Sequence, residues 1–567
     1  MRRDTEVQRS RFDGPNSRAK PLRQIGSLAL VAAALLLAAA APVRPAYDLV
    51  IRNGRVLDGT GSPWVKADVA VTGGRFVKIG KVEGVGAREI DAAGDYVTPG
   101  WIDMMDQSGG VLPRNGRAEN KVFEGVTTAI AGEGGSPVGS AKLDAWLTDL
   151  QKSGISLNFG TYYGAGQARV EVMGDAAGRP SLAQMQAMKD HVAEAMRAGA
   201  QGVATALIYP PDSFQTTDEL VELTKVAGSY GGIYASHMRD ESGDLLKAIG
   251  ESIEIGERTG AQVEIFHFKA AYAPGWGKLA PQAGAMIEAA RARSVNIAAD
   301  MYVYTAGGTG LSITVPNWVY ADGAEKGNER LKDPAVRARL KAEVEAGSEP
   351  GWSNLVRAAG GWDHVVLANA FNPKWDQYRY MSIAEIARAV GKDPADTAWD
   401  IVLDARPHRA MALFYLMSEP DIETALKWPW MAIGSDAGAS LRPGEIDATG
   451  LPHPRAYGNF PRVIAEYVKE RHVLTLEDAV RKMTAWPAAR MKLYDRGVIR
   501  EGLKADITIF SYDRIDDRAT YQNPMAYPAG IDWVIVNGQV VTDHGGHTGA
   551  KPGEVLRGPG YRQPSAH

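Results

Sequence analysis

Apolar and polar residues alternate near both ends of the chain. Residues 47–58, 67–72 and 75–79 show this pattern, and Gly73 and Gly74 separate the last two segments. A period of two predicts antiparallel strands joined by tight turns. Residues 506–510 and 533–541 repeat the pattern. Segments 47–98 and 497–551 are therefore predicted to form one small β-sandwich.

The middle of the chain instead alternates short apolar runs with helical periods. Amphipathic stretches such as 181–198 and 244–259 follow most of the apolar runs. Eight parallel strand–helix units predict an α/β fold, a TIM-like (β/α)8 barrel over residues 99–496. Its active site is expected at the carboxyl ends of the strands. The eight candidate strands are residues 101–105, 127–131, 156–161, 202–208, 232–236, 262–266, 296–301 and 431–434.

The wide gap between the last two candidate strands predicts an insertion around residues 316–430. Its charged part, residues 322–351, is predicted to be helical and to lie near the mouth of the barrel. The Pro- and Gly-rich residues 552–567 are predicted to form a loose tail.

The first 46 residues have the composition of an export signal. Seven basic and three acidic residues precede Gln24, and an uncharged, almost wholly apolar run covers residues 25–41. This pattern predicts a signal peptide and a periplasmic or secreted mature protein. An uncleaved membrane anchor is the alternative, but 17 residues is short for a transmembrane helix. No stable membrane insertion is expected after cleavage.

Composition narrows the function classes further. The 567 residues carry 63 basic and 67 acidic side chains, so the formal net charge is -4. This balance gives no electrostatic reason to expect nucleic acid as a partner. Cysteine is absent, which excludes disulfides, a thiol nucleophile and an iron–sulfur cluster. A small-molecule substrate remains, and the oligomeric state is left open.

Four residues at predicted strand ends form a candidate metal site. His237 and His267 end neighbouring strands, and Asp436 ends the last one. Glu133 follows the second strand among glycines, which leaves its carboxylate free to point into the barrel mouth. Two imidazoles and a carboxylate suit catalytic zinc, so one Zn²⁺ per chain is expected. Asp436 is the candidate general base. The structural alternatives are packed histidines, a surface acid and a helix cap.

Further residues are candidates for binding an anionic substrate. Lys269 and Arg239 each lie two positions beyond one of the histidines, so on a strand they would point to the same side. Arg455 lies in a loop after the eighth strand, Tyr302 follows the seventh, and Tyr209 precedes two prolines. Basic side chains beside hydrolytic machinery favour a carboxylate-bearing substrate. Each residue alone is also compatible with a surface or packing role.

Eight short motifs together resemble the D-aminoacylase (N-acyl-D-amino-acid deacylase) branch of the amidohydrolase superfamily. The likeness extends over about residues 47–545. The motifs are Val-Leu-Asp-Gly-Thr-Gly (56–61), Pro-Gly-Trp-Ile-Asp (99–103), Glu-Gly-Val-Thr-Thr (124–128), Ser-His-Met-Arg-Asp-Glu (236–241), Phe-His-Phe-Lys (266–269), Asp-Met-Tyr-Val-Tyr-Thr-Ala (300–306), Gly-Ser-Asp (434–436) and His-Pro-Arg-Ala-Tyr-Gly (453–458).

The resemblance implies a zinc-dependent amidase that removes the acyl group from N-acyl-D-amino acids. It assigns metal binding to His237 and His267 and catalysis to Asp436. It also assigns the substrate carboxylate to Lys269, Tyr302 and Arg455.

Two departures from the family pattern concern the metal. The family's His-x-His motif aligns with Met105 and Gln107, so a second metal ion is not expected. The family's bridging cysteine aligns with Gly134, and the adjacent Glu133 is the predicted substitute. This arrangement is similar to that of the N-acetylglucosamine-6-phosphate deacetylases, in which a Glu-His-His set holds one metal.

Three functional hypotheses remain at this point. The first is a one-zinc hydrolase of N-acyl-D-amino acids or related D-residue amides. The second is another amidohydrolase reaction, by an imidase, a dipeptidase or a hydrolase of bulky N-acyl conjugates. The third is a metal-free, non-enzymatic binding protein.

Overall fold

The computed structural model describes residues 45–175, 177–347, 352–440 and 453–562. The predicted export segment therefore lies almost wholly outside the described residues, and export stays a prediction. Within the described residues, no helix is long and apolar enough to cross a membrane.

The strands are β1 (Tyr47–Val56), β2 (Val65–Thr72), β3 (Arg75–Gly80), β4 (Gly86–Asp91), β5 (Tyr96–Pro99), β6 (Trp101–Asp106), β7 (Val126–Ala131), β8 (Asn158–Thr161), β9 (Tyr163–Gly164), β10 (Gly202–Ala206), β11 (Ile233–His237), β12 (Val263–Ile265), β13 (Ile297–Met301), β14 (Ala306–Gly310), β15 (Val365–Asn369), β16 (Met411–Tyr415), β17 (Met431–Ile433), β18 (Ile507–Phe510), β19 (Ile531–Val536), β20 (Gln539–Asp543) and β21 (Gly546–His547).

The α-helices are α1 (Glu119–Phe123), α2 (Ser140–Ser153), α3 (Ala165–Met173), α4 (Leu182–Ala198), α5 (Thr217–Ser229), α6 (Leu245–Thr259), α7 (Leu279–Ala292), α8 (Ala324–Arg330), α9 (Pro334–Ala346), α10 (Leu355–Ala359), α11 (Pro373–Asp376), α12 (Ile383–Val390), α13 (Pro394–Asp404), α14 (Glu419–Leu426), α15 (Arg455–Arg462), α16 (Leu476–Met483) and α17 (Ala485–Arg490). A π-helix, Val463–Glu470, directly follows α15.

The predicted barrel is confirmed. Strands β6, β7 and β8 form one parallel sheet, and β9, β10, β11, β12, β13 and β17 form another. Strands β8 and β9 are separated by one residue, and a parallel bridge from Asp106 to Ala437 joins β6 to the segment after β17. Together they make eight parallel strand positions. Met105, Ile130, Tyr162 and Phe266 belong to one buried cluster inside the barrel.

Helices start where the sequence offers capping side chains. Ser181 before α4 and Thr216 before α5 each accept a hydrogen bond from the third helical residue, and that residue's side chain bonds back to the cap. These capping boxes satisfy backbone N–H groups that a helix start leaves unpaired. Helix α4 consequently begins where the periodic pattern of residues 181–198 predicted it.

Both ends of the chain build one sheet beside the barrel. Strands β1–β5 and β18–β21 form a nine-stranded sheet in which β1 pairs with β2, β4 and β5. β1 changes partner from β4 to β5 around Asn53, which has a positive φ of 56° and lies in a register shift. Leu49, Val69 and Ile535 share the apolar cluster of this sheet. The flanking β domain is therefore present, as a single branched sheet.

The insertion differs from its predicted form. It contains helices α8 and α9 in its charged part, but also an antiparallel sheet of β14, β16 and β15. β14 starts at residue 306, about ten residues before the predicted insertion.

The prediction of a loose tail is wrong for the described residues 552–562. Leu556 N–H donates to the Phe159 carbonyl and Phe159 N–H donates to the Glu554 carbonyl, at 2.7 and 2.9 Å. Glu554 also pairs with Lys504. This segment binds along the barrel wall, because the short strand β8 leaves backbone groups for it to satisfy.

Candidate metal centre

Four functional side chains leave the barrel at the carboxyl ends of its strands. Glu133 comes two residues after β7, His237 is the last residue of β11, and His267 follows β12. Asp436 follows β17. His267 and Asp436 have positive φ values of 34° and 50°, which are uncommon for non-glycine residues. Sharp turns of the backbone at these two points aim both side chains at the same mouth.

Glu133, His237 and His267 converge on one point. One ligand atom from each lies within 4.8 Å of the others. Glu133 Oε1 is 2.5 Å from His237 Nδ1 and 2.8 Å from His267 Nε2. A carboxylate oxygen and two imidazole nitrogens are donors that zinc accepts in catalytic sites. The chemistry of this donor set therefore fits a metal ion.

The electrostatics around these ligands favour a cation. Burial opposes ionisation of Glu133, but hydrogen bonds and charge from His237 and His267 bring its pKa well below the usual value. Burial and Lys269 oppose protonation of His267, yet Glu241, Asp436 and Glu133 raise its pKa to about 10. Carboxylates thus dominate the electrostatic field at His267, and such a field favours a bound cation.

Glu241 is a site residue that the sequence analysis did not single out. Its Oε1 accepts a hydrogen bond from Lys269 Nζ at 2.6 Å and lies 3.1 Å from His267 Nδ1. Lys269 and the histidines keep the pKa of Glu241 low although its burial opposes this. A carboxylate on the outer nitrogen of an imidazole orients the ring and fixes its tautomer. The only sequence signal was its place inside the motif of residues 236–241.

Gln107 connects the ligand Glu133 to Asp436. Its amide Nε2 donates to Glu133 Oε2 at 2.7 Å and to Asp436 Oδ1 at 3.4 Å. Arg455 Nη1 lies 2.9 Å from Asp436 Oδ2. Met105 points into the barrel core and is 1% exposed. The two positions of the missing His-x-His pair therefore have different roles. Met105 packs in the barrel core, whereas Gln107 is part of the site.

The site opens into a cavity of about 350 Å³. It is lined by Glu133, His237 and Asp436 together with Lys269, Tyr302, Arg455 and Tyr209. The Arg455 guanidinium lies 4.6 Å from the Tyr302 ring centroid, and no described residue hydrogen-bonds the buried Tyr302 hydroxyl. Tyr209 packs against His237 and exchanges a hydrogen bond with Thr309 at 2.8 Å. These four candidates consequently share one cavity with the metal site.

The assignment of Arg239 to substrate binding is wrong. Its guanidinium donates to both carboxylate oxygens of Glu251 and to the carbonyls of Ser213 and Gln215. It is not part of the cavity wall. Side chains two positions apart point to the same side only within a strand. β11 ends at His237, so Arg239 is not on a strand and points elsewhere.

Comparisons with known proteins agree with this geometry. Residues 377–542 match the amidohydrolase family. An N-acyl-D-glutamate deacylase of Alcaligenes xylosoxydans xylosoxydans is 31% identical over 90% of this chain and 96% of its own length. A D-aminoacylase of the same organism is 30% identical over 90% of this chain and 97% of its own length.

A solved structure extends the likeness to three dimensions. The N-acyl-D-glutamate deacylase of Bordetella bronchiseptica was crystallised with zinc and a phosphonate inhibitor that mimics the tetrahedral intermediate of the reaction. It matches with a TM-score of 0.75 at 28% identity, covering 90% of this chain and 99% of that one.

Proposed function

Because the chain belongs to the D-aminoacylase branch of the amidohydrolase superfamily, we propose that it removes the acyl group from N-acyl-D-amino acids with a single zinc ion. The proposal rests on the convergence of Glu133, His237 and His267 within 4.8 Å. Glu133 and His237 line the same cavity as Asp436 and Arg455.

Glu133, His237 and His267 would hold the ion. Three protein ligands leave a position open, as catalytic zinc requires. Among the described residues, the two positions of the His-x-His pair offer no comparable ligands for a second ion, because Met105 is buried in the core and Gln107 offers an amide. When bound, zinc polarises the scissile carbonyl and lowers the pKa of the attacking water.

Asp436 is the proton carrier of this proposal. Its oxygens face Gln107 and Arg455, so the carboxylate is fixed at the edge of the metal site. It takes a proton from the attacking water and gives it to the amide nitrogen as the C–N bond breaks. One water is consumed, and a carboxylic acid and a free D-amino acid are released.

Arg455 and Tyr302 would receive the substrate carboxylate. The guanidinium and the Tyr302 hydroxyl lie together in the cavity, and Lys269 Nζ adds a positive charge 5.7 Å from the Tyr302 ring centroid. Glu241 already accepts a hydrogen bond from Lys269 Nζ, so Lys269 contributes mainly by charge and position. Metal and carboxylate subsite fix two points of the substrate, and the third substituent at Cα then distinguishes D from L.

The direct test is a panel of matched N-acetyl-D- and N-acetyl-L-amino acids, with Asp436→Asn as the control for contaminating activity. We expect kcat/KM to favour the D substrates by at least about a hundredfold, since misplacing the reacting group by a stereocentre loses the aligned geometry. Equal or faster turnover of L substrates would contradict the proposal. Turnover of cyclic imides or dipeptides instead would favour the second hypothesis.

A further inference from the structure

A second cavity of about 430 Å³ lies directly beside the proposed active site. Tyr209 and Arg409 line both cavities. The second cavity is bounded by the loop after β10 on one side and by the insertion on the other, with Ile313 and Val315 in its wall. Its volume is in the range of small-molecule sites and is sufficient for an acyl chain of several carbons.

The wall of this cavity carries two arginines, Arg406 and Arg409, that form no ion pair with any described residue. Arg406 and Arg409 are both exposed there. Among the described residues, no carboxylate lies within the 4.0 Å ion-pair distance of either guanidinium. Arg409 Nη2 donates to Thr309 Oγ1 at 3.3 Å, which holds it at the boundary between the cavities. The acidic residue of the wall is Asp175, which is exposed.

A third donor lies near the two arginines. The Tyr320 hydroxyl is buried in the wall, and no described residue hydrogen-bonds it. Burial raises the pKa of Tyr320 to about 12, against the opposing charges of Arg409 and Arg406. A buried hydroxyl without a partner is costly, so a ligand that accepts its hydrogen bond gains affinity.

We propose that this cavity is a subsite for the acyl half of the substrate, and that it selects acyl groups ending in a carboxylate. The inference rests on the proposed deacylase function. Arg409, Arg406 and Tyr320 would bind the terminal carboxylate, and the apolar walls would pack on the carbon chain. Guanidinium–carboxylate hydrogen bonds are stronger than neutral ones, which makes the terminal charge the selected feature.

The position of the cavity assigns it to the acyl half. The carbonyl carbon at the metal has two substituents, the amide nitrogen and the acyl chain. Arg455 and Tyr302, near β17 and β13, take the nitrogen half with its α-carboxylate. Tyr209 follows β10 and packs against His237 on the other flank of the metal ligands. The acyl chain therefore leaves the metal past Tyr209, towards Arg409.

The test compares two isosteric substrates, N-adipoyl-D-leucine and its terminal amide, N-adipamoyl-D-leucine. We expect wild-type kcat/KM to be about tenfold or more higher for the terminal carboxylate, mainly through KM, because one charge-assisted contact has this magnitude. Arg409→Gln and Arg406→Gln should each bring the ratio close to one. Arg500→Gln, an exposed arginine elsewhere in the chain, is the matched control and should leave the ratio unchanged.

Three results would overturn the proposal. The first is a wild-type kcat/KM ratio near one for the two adipic substrates. The second is a ratio that both arginine variants preserve. The third is a loss of discrimination between amino-acid side chains instead of between acyl groups. For the last, N-acetyl-D-glutamate is compared with N-acetyl-D-glutamine: if Arg409→Gln collapses that ratio instead, the cavity binds the amino-acid side chain. Turnover of N-acetyl-D-leucine and N-acetyl-D-glutamate is measured in parallel, since the absence of both in wild type would count against the deacylase function and not against the subsite alone.

Discussion

Gln107 shows how one side chain can change the meaning of a missing motif. In the sequence it stands only where a metal histidine is lacking, but in the fold its amide touches both Glu133 and Asp436. We infer that it holds the metal ligand Glu133 and the proton carrier Asp436 in fixed positions relative to each other. Gln107 is thus a positioning residue.

This role predicts the behaviour of Gln107→Leu. We expect kcat to fall by about tenfold or more with little change in KM, because the lost contacts are to charged acceptors and not to substrate. Steady-state kinetics with an N-acetyl-D-amino acid measures both constants. Gln186→Leu on the outer part of α4 is the matched control. A variant with unchanged kcat, or with KM alone raised, would show that Gln107 does not position the site.

The residues of the metal site differed in how far the sequence revealed them. Glu133, His237, His267 and Asp436 were accessible because each follows a recognisable apolar strand. Glu241 was not, since only folding brings its carboxylate to 3.1 Å from His267 Nδ1. The hydrogen bond between Lys269 and Glu241 could not be predicted from the sequence for the same reason.

Among the helices, α15 places Arg455 in the site and packs against a buried acid, Glu124. Glu124 follows α1, is fully buried, and accepts a hydrogen bond from the Phe460 N–H of α15 at 3.4 Å. Its Oε1 has no hydrogen-bond partner among the described residues. Burial raises the pKa of Glu124 to about 8, although Lys121 opposes this. The acid is therefore largely protonated in the folded protein near neutral pH.

This shift makes stability depend on pH in a defined direction. Between pH 4.5 and about 8 the folded state keeps a proton that the unfolded state has released, so stability falls as pH rises through this window. Glu124→Gln removes the proton exchange. We expect the melting temperature of the variant, relative to wild type, to increase from pH 5 to pH 8. Exposed Glu325→Gln is the control. A constant difference across these pH values would contradict the assignment.

Some elements could be predicted and others could not, for physical reasons. The eight barrel strands are continuous apolar runs and were all located. Strand β14 was missed because its sequence, Ala-Gly-Gly-Thr-Gly, has no apolar alternation and becomes a strand only by pairing with β16. Residues of this insertion form part of the second cavity, so the cavity could not be predicted from the sequence either.

The C-terminal segment, residues 552–562, binds to several distant parts of the barrel. Gly553 and Leu556 donate to backbone carbonyls of residues 155 and 159, Gly558 donates to that of Gly199, and the Glu554 carbonyl accepts from Phe159. A Pro- and Gly-rich composition predicted a loose tail, because sequence does not show which barrel edge offers unpaired backbone groups. These contacts join residues that are hundreds of positions apart in the sequence, so they form only once the barrel has folded.

Truncation after Lys551 should therefore destabilise the enzyme. The truncation removes these four backbone hydrogen bonds and a fifth, from Arg562 N–H to the Arg197 carbonyl. At about 1 kcal/mol each they amount to roughly 5 kcal/mol, so we expect the melting temperature to fall by several degrees. Thermal unfolding of the truncated and full-length chains gives the comparison. Identical melting curves would show that residues 552–562 contribute nothing to stability.

The proposed mechanism requires Glu133, His237 and His267 to hold one catalytic zinc ion. Zinc back-titration of metal-stripped protein, with deacylation of an N-acetyl-D-amino acid as the readout, tests it most directly. Activity should saturate at about one equivalent of zinc per chain, and Glu133→Gln should bind zinc at least about tenfold more weakly. A requirement for two equivalents would rule out a one-zinc site, and wild-type zinc affinity in Glu133→Gln would show that Glu133 is not a ligand.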